Sequence, residues 1–168
     1  RMPASLERVV AYVRSQPSPI EVVVVDDGSE DRTAAIVEAF AQEHDFIRLV
    51  RNPHGGNGAA IKTGVSQSRG QYLVLSDTDL SVPIEEMAKF LPPVLDGYDV
   101  AIASREAPGA ERIDEPYYRH LMGRVYNLLV RLLAVPGIQD TQCGFKAFRR
   151  EVACQVFPLQ TIEGWGFD

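Results

Sequence analysis

Apolar positions along this chain switch between two spacings, and each switch marks an element. Residues 20–25, IEVVVV, are β-branched and almost unbroken, which predicts a strand buried on both faces of a parallel sheet. The polar stretch DDGSEDRT turns the chain, and residues 33–43 predict a helix with Ala35, Ile36, Ala39 and Phe40 on its inner face. A second strand, FIRLV, ends at Arg51, and after NPHGGNGAA the residues from Ala59 to Ser68 read as another helix. YLVLS, from Tyr72, is the third strand, followed by a helix near Ile84 to Leu91 and a fourth strand, DVAIAS, at 99–104. Ahead of these, RMPASLERVVAYV reads as an amphipathic helix with Leu6, Val9, Val10 and Val13 on one stripe. Strands alternating with helices at this spacing predict an α/β fold, a Rossmann-like, mostly parallel sheet flanked by helices.

Candidate chemistry collects where strands end. The third strand runs directly into Asp77 and Asp79, one residue apart. In an extended backbone alternate side chains share a face, so these carboxylates are expected to converge while Thr78 turns away. Two hard oxygen ligands suit Mg2+ or Mn2+, which keeps waters and recruits substrate phosphates. The same string also reads as a solvated Asp-rich turn. Asp26 and Asp27 follow the first strand, and Ser104 and Arg105 the fourth. Any one of these could be a helix cap or a surface cation. Together they gather at the carboxyl rim, where open α/β sheets bind ligands.

Three further stretches stand out. Gly55, Gly56, Asn57 and Gly58 precede a helix, so their amides could receive an anion, and Lys62 is within reach of a phosphate or is simply solvated. The run fits neither the dinucleotide fingerprint nor the P-loop. Over residues 117–135, Tyr118, Leu121, Met122, Val125, Leu128, Leu129, Leu132 and Leu133 form an apolar stripe flanked by Arg119, His120, Arg124 and Arg131. Such a helix either packs on the core or lies in a membrane interface. DTQCGFKAF, residues 140–148, sets Asp140, Cys143 and Lys146 around a glycine-containing turn, and a third carboxylate there could orient or deprotonate an acceptor. Cys143 reads as a packed thiol.

At 168 residues, 45% apolar and 24% charged, the chain is one domain's worth of soluble globular composition. A net charge of −6 argues against a nucleic-acid binder, so a phosphate ligand needs a metal or specific cations. Two cysteines make neither a zinc site nor a disulfide framework, and both are expected as free thiols. No stretch reads as a signal peptide or a bilayer-spanning segment. Both ends look cut, so residues 1–168 are expected to be a single, incomplete domain.

Taken in order, VVVVDDGSEDRT, NPHGGNGAAIKTG, SDTDLSVP, IASRE, DTQCGFKAF and EGWGFD resemble the inverting family 2 glycosyltransferases of the GT-A fold. Within them the chain is most similar to the dolichyl-phosphate and polyprenyl-phosphate β-glucosyltransferases, with the mannosyl-phosphate synthases next. The resemblance implies a metal-dependent enzyme that moves a hexose from a nucleotide sugar, UDP-glucose, onto a lipid phosphate at the cytoplasmic face of a membrane. It further implies that Asp26 and Asp27 help hold the nucleoside, that Lys62 and Thr78 belong with the donor contacts, and that Asp77 and Asp79 meet the metal and nucleotide sugar. Arg105 matches an arginine near the diphosphate, and Asp140 an acidic residue near the acceptor phosphate. With a lipid acceptor implied, residues 117–135 gain weight as a peripheral membrane contact.

The family's amino-terminal strand with its nucleoside contacts is missing, and Asn57 stands where a basic residue is usual. Ser81 occupies the position at which mannosyl-phosphate synthases commonly carry a glutamine ligand, which favours the glucosyl branch. The alternatives are a GDP-mannose-dependent enzyme, a non-lipid acceptor, or a nucleotide-binding module without catalysis. A dinucleotide-dependent dehydrogenase is disfavoured because the first strand meets acids instead of the glycine fingerprint.

Overall fold

The computed structural model describes residues 1–94, 96–105, 107, 109–110, 122–123, 126, 128, 130, 133, 138, 140–162 and 164. Helix α1 (Met2–Ser15) carries proline in its first turn, where a missing amide costs nothing. Strand β1 (Val22–Asp26), helix α2 (Thr33–Glu43) and strand β2 (Ile47–Arg51) form a parallel unit in register from Val22↔Ile47 to Asp26↔Arg51. Helix α3 (Asn57–Gln67) leads to β3 (Tyr72–Leu75). A 3-10 helix (Ile84–Phe90), β4 (Val100–Ile102), β5 (Lys146–Arg149) and α4 (Arg150–Val156) follow.

Among the described residues the strands form two hydrogen-bonded groups, β1-β2 and β3-β5-β4. Strand β5, which the sequence pattern does not reveal, runs antiparallel between β3 and β4, so those two strands point the same way. Glu21, just ahead of β1, accepts the amides of Arg69 and Gly70 just ahead of β3, which ties the starts of the two groups together.

Several expected details shift. Val22 to Val25 are half-buried instead of buried on both faces, because β1 has only β2 as a bonded neighbour, whereas Asp26 is buried. In α2 the inner face is set by Ala34 and fully buried Val37, with Ile36 and Phe40 packed beside them, and Ala35 and Ala39 are exposed. The larger Val37, Ile36 and Phe40 side chains turn the helix so that Ala34, and not Ala35 or Ala39, faces inward. The helix expected near Ile84 is a 3-10 segment caught between Pro83 and the Pro92-Pro93 pair.

Helix α1 joins two parts of the core. Leu6 and Val10 pack with Val37 and Ile47, whereas Tyr12, outside the expected stripe, packs with Leu80, Ile84, Met87, Cys143 and Phe145 beneath the end of β3. A third cluster, Val65, Leu73, Phe148, Ala153 and Phe157, seats α3 and α4 on β3 and β5. Most of the segment 117–135 lies outside the described residues. Its described members are helical, and Met122, Tyr126, Leu128 and Leu133 are exposed. Among the described residues no helix is long and apolar enough to cross a membrane.

Candidate functional site

Strand β3 stops at Leu75, and the Leu80 amide donates to the Asp77 carbonyl at 3.1 Å, closing a turn over residues 77–80. Asp77 and Asp79 therefore stand on a turn, and the two-residue alternation of a strand does not govern their directions. Leu80 makes the reversal at φ 52, a left-handed conformation uncommon for a bulky residue. Burial of its side chain against Ile84, Met87 and Phe145 offsets that cost. Asp77, Thr78 and Asp79 are exposed. Ser81 orients Asp79, donating to Oδ1 from its amide at 2.9 Å and from its hydroxyl at 2.8 Å.

Strand β5 completes the rim. Because it runs antiparallel between β3 and β4, the residues that precede it lie beside the residues that follow those two strands. The Ala103 amide donates to the Phe145 carbonyl at 3.0 Å, which extends the pairing past β4. This brings Asp140 to Arg105, thirty-five positions apart in sequence. The Asp140 carboxylate is buried and accepts from Arg105 Nε at 2.8 Å, from its Nη2 at 3.0 Å, from its amide at 3.1 Å and from the Gln142 amide at 3.2 Å. Burial by itself would push the Asp140 carboxyl up, but the hydrogen bonds and charge of Arg105 outweigh it and hold it below the usual carboxylate range. Arg105 remains about half exposed, its side chain 46% accessible, so a buried acid aims a solvent-facing cation.

Asp26 and Asp27 act within the fold. Asp26 is buried and accepts the Ser29 amide at 3.3 Å. Asp27 accepts Asn52 Nδ2 at 2.7 Å and the amides of Gly55 at 3.1 Å and Gly56 at 2.7 Å. The glycine-rich loop does receive an anion, as its amides suggested, but that anion is the chain's own carboxylate. Gly56 holds φ 91, which only glycine adopts without strain, and this turns its amide inward. Burial raises the Asp27 carboxyl, and the bonds from Asn52, Gly55 and Gly56, with His54 beside it, bring it below its ordinary value. Lys62 donates to the carbonyls of Pro158 and Gln160, both at 3.2 Å, and so ties α3 to the chain after α4.

Asp77 and Asp79 thus follow β3, Arg105 follows β4 and Asp140 precedes β5, all at the same end of the three paired strands. Cys143 is a packed thiol, pushed up by burial. The donor set suits a hard cation such as Mg2+ or Mn2+. Asp77 and Asp79 are exposed, and among the described residues no three His, Cys, Asp or Glu side chains stand together as a metal site. An ion there would finish its coordination with water and ligand phosphates. The open cleft of about 560 Å3 lined by Arg14, Gln16, Pro19, Asp45 and Phe46 shares no residue with this rim.

Similarity to known proteins bears on these residues. The sequence profile described as "Glycosyl transferase family 2" matches residues 1–157. The chain is 36% identical over 180 residues to a dolichyl-phosphate beta-glucosyltransferase of Trichomonas vaginalis, covering 100% of this chain and 53% of that protein. It is 34% identical over 185 residues to the human dolichyl-phosphate beta-glucosyltransferase, covering 100% of this chain and 56% of that protein. The chain therefore spans about half the length of these curated relatives. Among solved structures, glucosyl-3-phosphoglycerate synthase from Mycobacterium tuberculosis superposes with a TM-score of 0.66 at 20% identity, covering 99% of this chain and 59% of that one. A further structure of that enzyme contains Mn2+ and UDP-glucose and superposes at 0.62 with 21% identity, covering 90% of this chain and 54% of that one. At these identities the likeness shows the fold, the α/β GT-A arrangement.

Proposed function

Because this chain belongs to glycosyl transferase family 2, we propose that it moves a hexose, glucose carried by UDP, onto dolichyl or another polyprenyl phosphate with inversion at the anomeric carbon. The observation that carries this reading is what stands at one end of the β3-β5-β4 group: exposed Asp77 and Asp79 after β3, and after β4 the Arg105 guanidinium that buried Asp140 holds at two points. The dolichyl-phosphate beta-glucosyltransferases that match the whole chain support the choice of sugar and acceptor.

A divalent ion, Mg2+ or Mn2+, held by Asp77 and Asp79 would supply neutralisation of the charge that builds on the departing diphosphate. Arg105 adds a fixed positive charge for a phosphate, and Asp140 sets its direction. Asp27 shapes the nucleoside side of the rim by fixing the loop from Asn52 to Gly56, with Asp26 and Thr78 on the same donor side. Asp140 serves poorly as a base, because its oxygens are engaged and its carboxyl is held low. No base is required. A phosphate monoester with a second pKa of about 6 is largely ionised near neutrality, and its oxygen attacks the anomeric carbon as the nucleotide leaves. One displacement inverts the centre, with no covalent glycosyl-enzyme. The exposed Met122, Tyr126, Leu128 and Leu133 support a peripheral contact with the cytoplasmic face of the membrane that holds the acceptor.

Calorimetry of the full-length protein with UDP-glucose and with GDP-mannose, each with Mn2+, followed by product analysis on vesicles containing polyprenyl phosphate, tests the reading. Binding of UDP-glucose and formation of glucosyl polyprenyl phosphate are expected. Binding of GDP-mannose alone would defeat the choice of donor, and transfer only to water-soluble phosphates would defeat the choice of acceptor.

A further inference from the structure

We infer that Gly144 is a positioning residue, whose bare Cα sets where the Asp77 carboxylate stands and through it the affinity of the rim for a divalent ion. The inference rests on the metal reading above. The register of β3 and β5 runs from Tyr72↔Arg149 to Leu75↔Lys146. Gly144 stands two residues before β5 and Asp77 two residues beyond β3, so the two meet where that pairing ends. Here the room is filled: a methyl group on Gly144 would overlap Asp77 Oδ2 and would stand 2.9 Å from both Oδ1 and Cγ.

The atoms in the way belong to the end of a short, exposed side chain and not to backbone. Added bulk at 144 must therefore displace the Asp77 carboxylate from the place its present contacts give it. The segment is in addition anchored on both sides of Gly144. Asp140 is fixed to Arg105, and buried Lys146 donates to the Thr141 carbonyl at 3.1 Å. Phe145 is 1% exposed and packs edge-on against Phe90 at 5.1 Å. Gly144 cannot retreat, so the carboxylate must. One ribbon thereby positions both the cation of the rim and one of its two exposed acids.

The test compares unmodified full-length protein, Gly144→Ala, Asp77→Ala and the double variant. Mn2+ affinity in the presence of UDP is read by electron paramagnetic resonance, beside UDP affinity in chelator and the melting temperature. Displacing a group that orients metal ligands typically lowers affinity roughly 10- to 100-fold, and a loss of Mn2+ affinity in that range is expected for Gly144→Ala. Metal-free UDP binding and the melting temperature are expected to stay close to the unmodified values. In the Asp77→Ala background, adding Gly144→Ala is expected to change nothing further. Unchanged Mn2+ affinity in Gly144→Ala would overturn the inference, as would a parallel loss of metal-free UDP binding and melting temperature. If Gly144→Ala fails to fold, recovery of folding in the double variant supports the inference and its absence overturns it. Unmodified protein that takes up no Mn2+ beside UDP would instead mark failure of the metal reading, and the inference would fall with it.

Discussion

Replacing Asp79 by alanine is expected to lower turnover of the full-length protein by roughly a thousandfold, the equivalent of the several kcal/mol that a metal ion contributes to stabilising developing charge. The side chain is exposed and its bonds are local, to the amide and hydroxyl of Ser81. Losing these local, solvent-facing bonds costs about 1 to 2 kcal/mol of stability, so activity falls far more than the melting temperature does. Asp79→Asn sharpens the case. It keeps an oxygen acceptor for Ser81 but removes the charge, and is expected to fail almost as completely. Because the interaction strengthens as the diphosphate departs, the loss should fall on kcat and kcat/KM together. Steady-state kinetics and thermal denaturation on the same preparations check this. A fully active Asp79→Ala would exclude the metal role.

Arg105→Ala is expected to destabilise the fold by roughly 3–5 kcal/mol at neutral pH, because it leaves a buried carboxylate without its cation. The Asp140 side chain is 0% exposed. Asp140→Asn should cost less, since it leaves no buried charge and the abandoned guanidinium is already half in solvent. The two variants also differ in the sign of their pH dependence. In the unmodified protein the Asp140 carboxyl is lowered. Its contribution is complete above the ordinary carboxylate pKa of about 3.9 and is lost as pH falls through the lower folded value. Asp27, also lowered, acts in the same window. Without the guanidinium only the amides of residues 105 and 142 oppose burial, so the Asp140 carboxyl rises relative to the unmodified protein, and protonation then relieves the buried charge. The stability gap between unmodified protein and Arg105→Ala is therefore expected to narrow as pH drops below about 4. Urea denaturation across that range measures it. A gap that stays constant would mean that Asp140 does not depend on Arg105.

The parts of this molecule that could be read from its sequence are those in which local pattern decides structure. The β-branched run at 22–25, the periodic stretch at 33–43 and the acids placed after strands gave the alternating architecture and the rim. The parts that escaped depend on long-range pairing. Strand β5 is four residues, begins on a lysine and is buried at Lys146, Ala147 and Phe148 without alternation, so nothing local marks it as a strand. With β5 hidden, the meeting of Asp140 with Arg105 and of Gly144 with Asp77 is not legible in the sequence. The glycine loop, too, is decided by a partner distant in sequence. Its amides have the geometry to receive an anion, and a carboxylate from the end of β1 already fills it. The turn at 77–80 depends on Leu80 reaching a core that only the folded chain assembles.

Whether the acids after β3 hold a divalent cation against the diphosphate of a sugar nucleotide is read by anomalous diffraction at the manganese edge, from crystals of the full-length protein grown with UDP and Mn2+. The expected result is a manganese peak at the turn formed by residues 77–80, bonded to carboxylate oxygen of Asp77 or Asp79 and to the diphosphate. UDP bound with its diphosphate away from that turn, or manganese located elsewhere, would contradict it.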